Sequence, residues 1–506
     1  LDLSRAGRVW RSHLVPRRSS YIGGWIRVIG AGTGLMLCAC SDGLVESVEF
    51  FPPDAGAPVP QQISDADVAF TNVSLVPMTF EGVVASQTVI VRNGVIDEIG
   101  PSDSVVVPAG VVEISGEGRF LMPGLTDMHT HVATSVLESG GSGQAQMREA
   151  AEGELLAYVA FGVTTILNNG DFGAPLNDYK QDALTGEIVG PTVYTANYAR
   201  GSTATPDGGP PNRQVLGEAD ARDFVISSKQ EGYDFIKVYD HTPVEAFDAL
   251  VDEAATQGMA VIGHFPMTMS QEHALRTGMV MVAHGAAYLW TGLDTPGEIP
   301  AAVALTSDTD AFVTSTLAIR EKIGRVWGGN DREIDALLAH PANRFAHPTS
   351  VRVWRNGLYG PRWDPPGSRR GDLDRGTDLL RSYMQSFHDS GVTLLLGSDS
   401  PTVLGVAGYS IHEELEALTR LDLTPFQILQ IATVNADVFI SRYVQGAAKF
   451  GTVEKGNQAD LILLSADPLA AVANLGFRVG VMTRGHWYSS QLLRDRMEEL
   501  ALSYGN

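Results

Sequence analysis

Six side chains between positions 129 and 399 have the types and order that a two-metal hydrolase needs: His129, His131, Lys237, His264, His284 and Asp399. His129 and His131 close the run Leu121-Met122-Pro123-Gly124-Leu125-Thr126-Asp127-Met128-His129-Thr130-His131. Residues two apart in an extended strand share a face, so the two imidazoles point the same way and can grip one ion. Phe235-Ile236-Lys237-Val238-Tyr239 is a β-prone run with a cation at its centre. A lysine among apolar neighbours is costly unless it is paired or uncharged. A neutral amine can take up carbon dioxide as a carbamate, an anionic ligand able to bridge two cations; a buried ion pair is the plainer reading. His264 ends the run Met259–Gly263, His284 ends Met279–Ala283, and Asp399 ends Val392–Ser398. One such histidine is ordinarily a hydrogen-bonded core residue, and the ordered set is what points to metal. Tyr239 and His241 follow Lys237 at the same end, and His412 stands at a helix start. All three are candidates for contact with substrate, with packing or capping as the alternative.

The elements that must carry these residues are legible as short apolar runs at 121–128, 163–168, 191–196, 234–239, 259–264, 279–284, 311–317 and 392–398, separated by helical stretches. Continuous apolar runs are expected of parallel strands buried on both faces. Eight such units predict an α/β fold, a (β/α)8 TIM-like barrel over 121–444, whose C-terminal strand ends form one catalytic face. Residues 65–120 hold the β-prone runs Val68-Ala69-Phe70, Val73-Ser74-Leu75, Thr88–Val91 and Val95-Ile96, with Asn93-Gly94 fitting a type I′ hairpin turn. Together with 445–490, which contains Leu461–Leu464 and Val479–Met482, they predict a small β-sandwich built from the N- and C-terminal segments. One interval breaks the alternation. About 318–376 is rich in Arg, Gly, Pro and Trp and separates the seventh strand from a helix at 378–390. An insertion of this length predicts a lid or specificity element, or equally a contact between copies in a homo-oligomer. Its Arg325, Arg332, Arg344, Arg352, Arg355 and Arg362 are expected to attract a substrate carboxylate. His273 is expected on an exposed helix capped by Thr268, and His340 and His347 in a solvated loop.

Over about residues 66–488 the chain resembles the amidohydrolase superfamily, and within it the binuclear metal-dependent branch with a carboxylated lysine, a group of Xaa-Pro dipeptidases and imidazolonepropionase-like proteins. Beyond the six ligands, the resemblance is carried by His412-Glu413-Glu414-Leu415-Glu416, Leu423-Thr424-Pro425, Ala432-Thr433-Val434-Asn435-Ala436, Gly451-Thr452-Val453-Glu454-Lys455-Gly456 and Ala459-Asp460-Leu461. It implies a hydrolase cleaving a C–N amide bond of a small molecule, a dipeptide or N-acyl amino acid. It further implies His129, His131 and Asp399 on one divalent ion, His264 and His284 on a second, and a CO2-derived carbamate on Lys237 with a hydroxide bridging the two. Asp399 would then pass the hydroxide proton to the leaving amine. Zinc suits imidazole and oxygen donors, with manganese and iron the other candidates. The alternative is a mononuclear deaminase or a cyclic-amide hydrolase of the imidazolonepropionase kind on the same fold. A mononuclear site has no need of Lys237. A non-catalytic binding protein would be free to lose ligands, and none is missing.

Charge narrows the partners. The 506 residues carry a formal net charge of −23, with 44% hydrophobic residues. The first 40 residues are basic, so the acidic excess lies entirely in the body, which argues against nucleic acid or an anionic membrane as a surface partner. Arg17, Arg18 and Arg27 precede an apolar run from Val28 to Leu37, suited to a signal-peptide core and too short to span a bilayer. Leu37-Cys38-Ala39-Cys40 then resembles a bacterial lipobox. Residues 1–40 are therefore expected to be a signal peptide, with Cys40 lipidated and the protein held at the cell envelope, facing the periplasm and favouring the outer membrane. A membrane partner is expected only through that anchor. Residues 41–64, with Pro52, Pro53, Pro58 and Pro60, are expected to be a flexible tether. Cys38 and Cys40 are the two cysteines, so a disulfide framework is not expected.

Overall fold

The computed structural model describes residues 50–505 apart from 53, 55, 65, 135, 137–143, 171–175, 202–213, 327–330 and 356–369. The expected signal segment, Cys40 and the first part of the tether lie outside them. In chain order the strands are β1 (Gln62–Ile63), β2 (Val68–Leu75), β3 (Val84–Arg92), β4 (Val95–Pro101), β5 (Val112–Ser115) and β6 (Phe120–Pro123). Then come β7 (Leu125–Thr130), β8 (Val163–Asn168), β9 (Thr192–Ala199), β10 (Phe235–Val238), β11 (Ala260–Gly263), β12 (Met279–Val282), β13 (Phe312–Thr314) and β14 (Leu394–Leu395). β15 (Leu461–Leu464), β16 (Arg478–Thr483) and β17 (His486–Ser489) complete the series.

β7 to β14 pair in sequence order, all parallel. Backbone bonds from Met128 N–H to Leu396 O, Asp399 N–H to His129 O and His131 N–H to Ser400 O, each 2.8 Å, join β7 to the chain beyond β14 and draw the sheet into a barrel. Met128, Leu167, Ala196, Phe235, Ile262, Met281, Phe312 and Leu395, one from each strand, share a buried cluster. Phe439 and Ile440 of the helix Val434–Tyr443 belong to the same cluster. The interior is thus filled with side chains, leaving the strand ends as the place for chemistry.

The other nine strands form one mixed sheet in the order β1-β17-β16-β15-β6-β2-β3-β4, with β5 beside β2. Ile63, Phe70, Val89, Ile96, Ile114, Leu121, Leu461, Met482 and Trp487 meet in its own core. The expected sandwich is therefore a single sheet whose strands all feed one core. Asn93 and Gly94 both have positive φ (50° and 75°), as the I′ turn between β3 and β4 requires. The apolar run 121–128 does not make one strand, because it serves both sheets. Gly124 N–H leaves it to donate to Asp460 O (2.9 Å), and a Cβ there would come within 2.1 Å of Thr164.

Two further expectations are revised. From Phe50 onward the supposed tether is docked: Phe51 is buried and Phe50 meets Phe161, Phe345 and Tyr409 edge-on. Arg119 bonds Asp54, and β1 pairs with β17. Aromatic burial outweighs the flexibility that the prolines suggested. The insertion is mostly helical in its described part, with helices Leu317–Val326, Asp331–Leu338 and Pro348–Arg355, and the helix expected at 378 already begins at Arg370. Within it His347 is buried and His340 stacks on Tyr409, so neither is the solvated residue expected. The helix carrying His273 is capped by Ser270, not Thr268, whose hydroxyl donates to Thr242 O.

Trp487 is fully buried where β17 meets the N-terminal strands, and its indole donates to Pro60 O (2.9 Å). Trp487→Ala should cost roughly 3–5 kcal/mol. Guanidinium unfolding of the variant beside the parent protein measures this.

Candidate metal centre

All six expected ligands stand at or just beyond C-terminal strand ends, because parallel strands in register bring those ends to one rim. His129 lies in β7 and His131 one residue after it; Lys237 lies in β10, two residues beyond Phe235 and on the same face. His264 and His284 follow β11 and β12, and Asp399 follows β14. Lys237 is 1% exposed and His129 0%.

Each imidazole is held by its Nδ1. His129 Nδ1 meets Ala283 O at 2.7 Å, His131 Nδ1 meets Gly170 O at 3.3 Å, and His264 Nδ1 meets Asp240 Oδ1 at 2.7 Å. His284 Nδ1 meets Thr316 Oγ1 at 3.2 Å. These contacts turn the Nε2 atoms inward. His129 Nε2 lies 3.2 Å from His131 Nε2 and 3.3 Å from Lys237 Nζ. Asp399 Oδ1 lies 3.2 Å from His131 Nε2 and 3.5 Å from His129 Nε2, and its Oδ2 is 4.0 Å from His284 Nε2. His129, His284 and Asp399 each offer a ligand atom within 4.8 Å of the others.

The electrostatics fit a cation. Burial, reinforced by the charge of Lys237, holds His129 well below the ordinary imidazole range, and burial does the same to His284, so both are neutral. A neutral ring that donates through Nδ1 presents a lone pair at Nε2. His129 Nε2 thus offers its lone pair to the space it shares with His131 Nε2 (3.2 Å) and Lys237 Nζ (3.3 Å). His264 Nε2 is buried with no hydrogen-bond partner. Burial brings Lys237 down to about 8, so its amine is neutral in a far larger share near neutral pH than an exposed lysine's. Burial pushes Asp399 up, but the His131 hydrogen bond and the charges of His284, His131 and Lys237 hold it below the usual carboxylate range. Imidazole nitrogens and a carboxylate are donors suited to a divalent metal, and His129, His284 and Asp399 stand close enough together to share one ion.

Several supporting groups escaped the sequence reading. Asp127 Oδ1 accepts from His129 N–H (3.1 Å) and Ser398 N–H (3.0 Å), and its Oδ2 accepts from Ser398 Oγ, tying the two ends of the barrel together under the ligands. Its place two residues before His129 was the available signal. Asp240, three residues after Lys237, aims His264, as carboxylates behind metal-bound histidines do. Gly397 permits the close packing, since a Cβ there would lie 2.8 Å from His129 Cβ. Tyr239 stacks near His264 (centroids 4.3 Å), and Trp290 stands 5.7 Å from His264 and 5.5 Å from His284.

Three expectations fare differently. His241 is exposed, beyond the buried cluster. His412 is elsewhere: its Nε2 bonds Phe161 O (2.8 Å) beside Arg478, in a separate cavity lined also by Phe50 and Tyr409. Phe161 precedes β8, at the opposite end of the barrel from the ligands, so His412 joins barrel to sheet and does not face the centre. The insertion's arginines are spent on surface pairs: Arg325 with Glu333, Arg344 with Glu498 and Arg355 with Asp335, while Arg352 reaches Thr349. Arg332 is exposed, and Arg362 lies outside the described residues.

The sequence profile of the amidohydrolase family matches residues 376–488, from the helix before β14 to β17. An imidazolonepropionase of Stenotrophomonas maltophilia is 25% identical across 24% of this chain, and the match spans 38% of that relative's length. Among solved structures, a Xaa-Pro dipeptidase with methionine bound in its active site is similar at a TM-score of 0.64 and 17% identity, over 84% of this chain and all (100%) of that one. A bottromycin amidohydrolase matches at 0.63 and 22% identity, over 88% and 91% of the two chains. The A. niger ochratoxinase matches at 0.61 and 18%, over 85% and 96%. At such identities the likeness is one of fold. The matching profile makes the C-terminal part of the chain, residues 376–488, similar to the amidohydrolase family, and the solved structures share its barrel fold.

Proposed function

We propose that the protein is a metal-dependent hydrolase that cleaves a C–N amide bond, in a dipeptide or N-acyl amino acid. The observation that carries this reading is the convergence of the His129, His131 and His284 Nε2 atoms on Asp399, with His264 beside them and each ring already fixed through its Nδ1. The Xaa-Pro dipeptidase and bottromycin amidohydrolase among similar folds support the choice of bond. His129, His131 and Asp399 would hold one divalent ion and His264 and His284 a second, zinc being the best match to the donors. Bound there, two cations polarise a carbonyl and make water acidic enough to attack at neutral pH. The chain's own residues do the rest. The Lys237 amine, neutral in a sizeable fraction near pH 8, can add carbon dioxide through a new N–C bond with loss of one proton, and the carbamate's two oxygens, sharing one negative charge, would be ligands for the metal. Asp399 takes the proton of the attacking water and returns it to the leaving nitrogen as the new C–O bond replaces C–N. Asp240 keeps His264 in one tautomer. Tyr239 and Trp290 flank the centre and offer apolar faces to a substrate.

The test is metal analysis of the purified protein followed by turnover of a panel of dipeptides and N-acyl amino acids. About two ions per chain and hydrolysis of at least one class are expected. Metal-replete protein that cleaves no member of either class would sink the reading. Lys237→Ala should bring bound metal from about two ions toward one or none and abolish most turnover, with short carboxylic acids restoring part of it. Full metal content and normal turnover in that variant would remove the carbamate from the scheme.

We also propose that the mature protein is a lipoprotein of a bacterial envelope, anchored through Cys40. The support is the order of basic residues, apolar run and cysteine. Mass spectrometry after expression in a Gram-negative host should find a diacylglyceryl group on an N-terminal Cys40. A soluble chain still carrying residues 1–39 would overturn it.

A further inference from the structure

Arg325, Arg344 and Arg355 of the insertion have carboxylate partners, but among the described residues one arginine at its base, Arg320, has none. Arg320 lies in the helix Leu317–Val326, directly after β13 on the rim that carries the metal ligands. It lines a cleft of about 610 Å³ with Leu289, Trp290, Asp294, Asp378 and Leu379. Its Nε is buried without a hydrogen-bond partner, and among the described residues no carboxylate forms an ion pair with its guanidinium. Asp378 is engaged by Arg381 at 2.7 Å. Burial lowers the guanidinium from its ordinary value, and no neighbouring charge offsets the effect. A desolvated arginine with no partner is costly, and structures retain one where a partner arrives from outside.

Two observations join this cleft to the metal centre. Trp290 belongs to both: it lines the cleft, its indole lies 5.5 Å from the His284 ring and 5.7 Å from the His264 ring, and it remains 43% exposed. The helix that presents Arg320 is also pinned. Buried Glu414 accepts from Ser315 Oγ (2.6 Å), Leu317 N–H (2.9 Å) and Ala318 N–H (2.7 Å), so the first turn is fixed relative to the barrel. An exposed indole beside the ligands, followed by a fixed and unpaired cation, is a receptor for an apolar arm ending in an anion. A planar carboxylate matches the guanidinium fork.

We propose that Arg320 anchors the substrate's carboxylate, with the apolar part of the same arm resting on Trp290. The site as a carboxylate receptor stands on its own geometry; that its ligand is a substrate rests on the amide-hydrolase reading. Binding and turnover therefore have to be measured separately. Binding is read by calorimetry on the intact protein with two probes that cannot be hydrolysed, 3-phenylpropanoate and its neutral counterpart 4-phenyl-2-butanone. The parent protein should bind the acid at least about tenfold more tightly, the yield of one charge-assisted pair. Arg320→Gln should reduce that preference to within about twofold, and Arg320→Lys, which keeps the charge and loses the fork, should fall between. Thermal melts confirm that both variants fold, and if Arg320→Gln does not, Arg320→Lys carries the test through its weakened preference. Equal binding of the two probes by the parent, or an acid preference that survives both substitutions, overturns the proposal. Hydrolysis of N-acetylphenylalanine against its amide, and of succinanilic acid against succinanilamide, then tells whether the carboxylate sits on the leaving amine or on the acyl arm. No turnover despite the expected binding would count against the hydrolase reading and leave the carboxylate receptor standing.

Discussion

Four imidazoles crowded around one carboxylate at the barrel rim set the terms for the rest of the molecule. With the Nδ1 of His129 bonded to a backbone carbonyl, its Nε2 lone pair faces His131 at 3.2 Å and the Lys237 amine at 3.3 Å. Such a cluster repels itself and gains nothing from water, which burial excludes. It persists only if the scaffold holds every ring in place and a cation compensates the lone pairs. The barrel supplies the first condition, since each ligand comes from a different rim position of one closed sheet, with His129 and His131 sharing a strand end. A divalent ion bound there would supply the second.

The scaffold meets its part with buried carboxylates that are not themselves ligands. Asp127 closes the barrel by gathering His129 N–H and the Ser398 backbone and hydroxyl, and burial raises it to about 7. Glu414, raised by burial to about 7, does the same for the start of the helix after β13. Asp240 fixes one ligand ring. In each case an acceptor with several lone pairs satisfies backbone donors left open where strands or helices end. Precision at the rim therefore comes from groups one layer behind the ligands.

Charge placement shows the same economy. Arg325, Arg344 and Arg355 of the insertion form surface pairs with carboxylates, which contribute little because water screens them. Arg320 differs through position: it sits where the barrel rim, Trp290 and the helix beginning at Arg370 enclose it, and no acid of the described residues forms an ion pair with it. The contrast between paired surface arginines and one enclosed unpaired arginine separates solubility from recognition within a single segment.

The fold class was legible in the sequence, as was the gathering of the six candidate residues at one rim, because each rests on local pattern. Eight apolar runs of strand length dictate parallel strands, and five of them carry or lead into a candidate residue. Asn93-Gly94 dictates its hairpin, because few other pairs tolerate positive φ twice. What distant segments do to one another was not legible. The run 121–128 reads as a single strand, and only contact of Gly124 with Thr164 and Asp460 divides it between two sheets. Phe50 and Phe51 read as part of a tether until Phe161, Phe345 and Tyr409 supply a surface for them. His412 carries a family motif yet turns toward Phe161 O and Arg478, because helix packing and not sequence position decides which way a side chain faces. Arg320 had no mark among many arginines. Its meaning depends on the absence of a partner in three dimensions, which sequence order does not encode.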